Sequence, residues 1–82
     1  IDFVVPRARY RVDAIECKWD PASIDPAPLK LFRSYYPRGA NYLLSPIGTD
    51  GYAKKVAGLE MYVCNPDGWR KHAQIPGAHN GG

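Results

Sequence analysis

Two alternating, β-branched runs stand six residues apart at the start of this chain, and a hairpin joins them directly. Ile1–Val5 is rich in β-branched and aromatic residues and stops at Pro6, which cannot donate to a sheet ladder. Pro6–Arg11 is polar and basic, the composition of a connecting loop. Val12–Trp19 alternates again: Asp13, Ile15, Cys17 and Trp19 share one face, and Val12, Ala14, Glu16 and Lys18 share the other.

Centring the loop near Arg9 sets Asp2 opposite Glu16. Directly opposed residues project from one face with Cβ atoms about 5 Å apart, and Lys18, two residues beyond Glu16, joins them there. A slip of one residue would send Asp2 to the other side, so the cluster depends on register. Two carboxylates so close repel unless a cation lies between them or one takes a proton. Hard oxygen ligands favour Mg²⁺, which lowers the pKa of a bound water, and a nearby lysine can steer that water or stabilise developing charge.

Beyond the hairpin, Asp25 reads as a helix N-cap with Pro26 at the first helical position. Leu29, Phe32 and Tyr36 recur at helical spacing and should face a sheet, with Lys30 and Arg33 pointing elsewhere as a solvated face. Pro37 and Gly39 end that helix, and Asn41–Ile47 is a third strand. Strand, helix and strand imply a right-handed crossover and a parallel pair. Gly48–Gly51 reads as a turn, and Leu59–Cys64 as a further, edge strand. The expected fold is therefore α/β, a mixed sheet of hairpin, crossover helix, parallel strand and edge strand over residues 1–64, with 65–82 a turn-rich tail that frays at His79–Gly82.

Composition limits the function classes. Eighty-two residues with 45% hydrophobic content allow one domain and a small core. The absence of a long apolar stretch argues against a membrane span. A net charge of +3 suits a phosphate-bearing partner, and Arg7, Arg9 and Arg11 concentrate that charge on the hairpin loop, where they would contact a nucleic-acid backbone. Cys17 and Cys64 lack metal-ligand spacing and read as buried free thiols in a reducing cytoplasm, bridged only if their strands are neighbours. The chain opens within an apolar run and without Met, which reads as a fragment of a longer protein.

The ordered motifs resemble the PD-(D/E)xK, restriction-endonuclease-like nuclease superfamily: I-D-F-V-V, then I-E-C-K, then a helix ending in proline, then N-Y-L-L-S-P. More narrowly, Ile1 to about Ser45 is similar to the C-terminal domain that follows an AAA+ P-loop ATPase in many bacterial and archaeal proteins. The resemblance implies Asp2 and Glu16 as Mg²⁺ ligands, Lys18 as the catalytic lysine, and nucleic acid and an upstream ATPase domain as partners. It further implies a core truncated at its N-terminus, whose first helix and strand would precede Ile1. ATP would enter only through a missing upstream domain, because Gly48–Lys55 does not match a P-loop. The alternative from a different class is a catalytically inactive interaction or regulatory module on the same scaffold. Among the remaining residues, Asp13 reads as structural or loop-directed, His72 as exposed and partnerless, and Trp19 as packed against a helix. Trp69 reads as a core cap sooner than as a stacking platform beside Arg70 and Lys71.

Overall fold

A computed structural model describes residues 1–47 and 51–74. It contains a five-stranded mixed sheet in the order β1-β2-β3-β5-β4, with β1 Phe3–Pro6, β2 Val12–Cys17, β3 Asn41–Leu44, β4 Tyr52–Val56 and β5 Leu59–Cys64. Strand β1 pairs antiparallel with β2, β2 and β3 are parallel, β3 and β5 are parallel, and β4 closes antiparallel on β5. Helix α1, Ala27–Tyr35, makes the crossover between β2 and β3, and α2, Pro66–Gln74, follows β5.

The small α/β class agrees with the expectation, and so does the hairpin register within β1 and β2, where Phe3 faces Ile15 and Pro6 faces Val12. Helix α1 begins one residue later than expected, so Pro26 and not Asp25 is its N-cap; Asp25 Oδ1 accepts from the Ala27 N–H at 3.0 Å just ahead of it. Leu29 enters the core with Ala14, Leu43, Met61 and Val63, while Ile24, Phe32, Val56 and Leu59 pack around them. Each fully buried aliphatic side chain here contributes about 1.5–3 kcal/mol.

Three expectations about the elements need correction. Leu59–Cys64 is not an edge strand; Tyr52–Val56 covers it, joined through Ala57 and Gly58. Both turn residues have positive φ (50° and 84°), the backbone of a tight hairpin turn whose twist matches the flanking strands. Pro66–Gln74, expected to be turn-rich, is helical: Asn65 Oδ1 accepts from the Gly68 N–H at 2.7 Å and Pro66 stands in the first turn. Arg33, expected to point into solvent, is only 9% exposed. Its guanidinium donates to Asn41 Oδ1 and to the carbonyls of Tyr36, Arg38 and Ala40 at 2.8–3.0 Å. A planar fork with several donors saturates the carbonyls of the α1–β3 loop in a way an apolar side chain could not. Gly39, at φ 139°, lets that loop pass against the Val12 carbonyl, where a Cβ would collide.

The turn expected at Gly48–Gly51 and the frayed tail at His79–Gly82 lie wholly or largely outside the described residues. Cys17 and Cys64 are both free; β3 separates their strands, so no bridge joins them, and Cys17 is exposed, contrary to expectation, while Cys64 is buried. Among the described residues no helix is long and apolar enough to cross a membrane.

Candidate active site on the first hairpin

The antiparallel register determines where Asp2 lies. Its N–H donates to the Ile15 carbonyl at 3.0 Å, and its Oδ2 accepts from the Cys17 N–H at 2.7 Å. The carboxylate therefore leans across to the β2 backbone at Cys17. Glu16, whose side chain is 12% exposed, has its Oε1 2.6 Å from the backbone nitrogen of Ile1. Both acids act on Cys17: partial desolvation first, then the charges of Asp2 and Glu16, push its thiol above the usual value. Lys18 continues the strand, its N–H donating to the Leu44 carbonyl at 2.9 Å, and alternation gives it the Glu16 face about 7 Å further along. No ion pair among the described residues ties Lys18 to either carboxylate.

Mg²⁺ suits such donors, because it keeps several waters and is commonly bound by one or two carboxylates plus substrate phosphate. Among the described residues there is no group of three His, Cys, Asp or Glu side chains placed to hold a metal alone. Oxygen from a substrate and from water would have to complete the shell.

The loop arginines do not act as a set. Arg7 turns inward, its Nε 2.9 Å from Asp13 Oδ2, and Asp13 is fully buried. The other oxygen of Asp13 accepts from the Ala40 N–H at 2.9 Å, which ties the hairpin to the start of β3. Arg7 thus has a structural partner in Asp13, with its side chain 31% exposed. Arg11 is half-buried and engaged in its own interactions, and its charge helps burial lower the pKa of Arg33. Arg9 and Tyr10 form the exposed tip, both at positive φ (60° and 65°), and Tyr10 is 94% exposed.

On the opposite side of the sheet α2 packs an aromatic cluster. His72 is half-buried rather than partnerless: its Nδ1 lies 3.1 Å from Tyr42 Oη and its ring stacks on Tyr62 at 3.9 Å. Burial first, and the Asp13 charge second, push the Tyr42 phenol far above its usual pKa. Trp69 meets Tyr42 edge-on at 6.3 Å and caps this cluster. The i, i+3, i+4 spacing of Trp69, His72 and Ala73 is the sequence signal that marks the inward side of α2.

Residue-by-residue reading also missed a groove of about 240 Å³ at the carboxyl ends of the parallel strands. Cys17–Trp19, Leu44–Pro46 and Pro66 line it. Trp19, expected against a helix, stands 72% exposed at its margin. The chain runs from Cys17 into an Asp20-capped 3₁₀ turn, Pro21–Ser23, so the strand ends before any helix can cover the indole.

No family model, no curated protein and no solved structure matches this chain.

Proposed function

We propose that the chain is a nuclease-like module of the restriction-endonuclease-like type, working on nucleic acid with Mg²⁺ held by Asp2 and Glu16. The observation that supports this reading is the reach of the Asp2 carboxylate across the hairpin to the Cys17 N–H, between Glu16 and Lys18 in the chain. The connection of the Glu16–Lys18 strand through α1 to a parallel neighbour accords with the same resemblance. In a longer protein the module would follow an AAA+ ATPase domain, which would bring the ATP.

A bound Mg²⁺ would supply an acidified water and charge neutralisation at a phosphate. The residues of the chain divide the remaining work. Asp2 and Glu16 fix the position at which a phosphate is held. Lys18, on the same face, places an ammonium where negative charge develops on the phosphate oxygens. Arg9 at the loop tip adds a sequence-independent contact to the nucleic-acid backbone.

Mg²⁺ or Mn²⁺ titration followed through the amide signals of residues 2 and 16–18 tests the site directly. Progressive shifts confined to that hairpin end are expected, and silence at millimolar metal overturns the metal site. Nuclease activity that survives Glu16→Ala undiminished removes the mechanism. The competing reading is an inactive docking module on the same scaffold, and the commitment of the Asp2 carboxylate to the Cys17 N–H favours it. It predicts silence in both experiments.

A further inference from the structure

Strands β2, β3 and β5 run parallel, so their carboxyl ends emerge on one side of the sheet. Open α/β sheets place ligands in the crevice outside those ends. Here Lys18 and Trp19 follow β2, Ser45 and Pro46 follow β3, and Pro66 follows β5, and the groove of about 240 Å³ lies between them.

The exposed indole is held on a fixed backbone. The Trp19 carbonyl accepts from Ser45 Oγ at 2.6 Å, and Ser45 is fully buried. The Ser45 N–H in turn donates to the Cys64 carbonyl at 2.9 Å, and the Lys18 N–H donates to the Leu44 carbonyl at 2.9 Å. All three parallel strands therefore hold the residue that carries the ring. The carboxylate of the next residue, Asp20, is turned into its own 3₁₀ turn, accepting from the Ala22 N–H at 3.0 Å. A large apolar ring left 72% in water on so rigid a support is a surface prepared for a planar partner.

Size and charge select the partner. The groove falls below the range of about 300–1,000 Å³ typical of drug-sized ligands, which suits one ring system better than a whole small molecule. Lys18 lines the same groove, and the chain carries a net charge of +3, so an anionic chain bearing flat rings is complementary. A duplex keeps its bases inside the stack and offers none to an indole. We propose that the groove stacks one unpaired nucleobase on Trp19, which makes the partner single-stranded or splayed nucleic acid. This rests on the reading of the hairpin as a nucleic-acid site, because Lys18 belongs to both.

Fluorescence anisotropy of a labelled oligothymidylate, and of a duplex of equal length, with the 82-residue chain tests it. Single strand should bind more tightly than duplex. Trp19→Ala should weaken single-strand binding by about tenfold, and Trp19→Phe should keep most of it. Circular dichroism and the melting temperature of both variants should match the parent, because the ring contributes little to the core. Parent-like single-strand binding by Trp19→Ala, or equal binding of duplex and single strand, overturns the stacking proposal and leaves the nucleic-acid reading standing. Absence of binding to either oligonucleotide by the parent overturns both.

Discussion

Asp13 and Glu16 lie three residues apart on one strand, and their surroundings differ in almost every respect. Asp13 is fully buried and spends one oxygen on Arg7 and the other on the Ala40 N–H. Glu16 stands near the end of β2, its Oε1 against the Ile1 backbone nitrogen, one residue before the Cys17 N–H that Asp2 accepts from. The first carboxylate closes a structural joint between hairpin, loop and sheet. The second lies near the end of the strand, with a side chain 12% exposed. Charge type alone does not separate the two; parity and distance from the strand end do.

Stability measurements should separate them sharply. Removing the buried acid by Asp13→Ala leaves Arg7 and an amide without their acceptor, and should cost about 3–5 kcal/mol by urea denaturation. A loss below about 1 kcal/mol would mean that the joint is not what holds the loop to the sheet. Next in size, Arg33→Met keeps the stem but strands the loop carbonyls, and about 3 kcal/mol should be lost in the same assay. At the other end, Asp2→Ala and Glu16→Ala should each change stability by less than about 1 kcal/mol while erasing the metal-induced amide shifts. Equal destabilisation by Asp13→Ala and Glu16→Ala would dissolve the contrast.

A pH profile adds a smaller effect from the interior. Burial pushes the Cys64 thiol from 9.0 up to about 11, so the folded state favours the neutral thiol more strongly than the unfolded chain does. The stability this confers is fully present below pH 9 and is lost as the pH climbs toward 11. Cys64→Ala should flatten the early part of the alkaline unfolding curve, read by circular dichroism between about pH 9 and 10. An unchanged slope would place the alkaline sensitivity elsewhere.

The hairpin was legible in the sequence because every local cue agreed. β-branched alternation and a short polar loop leave one register that keeps both faces consistent, although Pro6, read as the stop, is the last residue of β1 and pairs with Val12. Strand β4 was not legible. Lys54 and Lys55 interrupt its alternation, and its turn uses Ala57–Gly58 where Asn-Gly is the usual signal. Helix α2 had its cues, with Asn65 as cap, Pro66 in the first turn and Asp67 ahead of Lys71 and His72, but Pro and Gly so close together read as turn. The burial of Arg33 follows from loop carbonyls that only the folded chain brings around it, so helical spacing could not foresee it. The same holds for the groove, which is assembled from three strand ends far apart in sequence.

The edge strands of the sheet also differ in what they would admit as a sixth strand. On β4, Lys54 and Lys55 put two positive charges in the middle of a five-residue edge, a device that discourages an incoming backbone. Strand β1 carries Phe3 at 61% and Val4 at 48% exposure, with Pro6 the only interruption to its free ladder. Lateral growth of this sheet, whether by a neighbouring segment or in an aggregate, is therefore biased toward the side that bears Asp2.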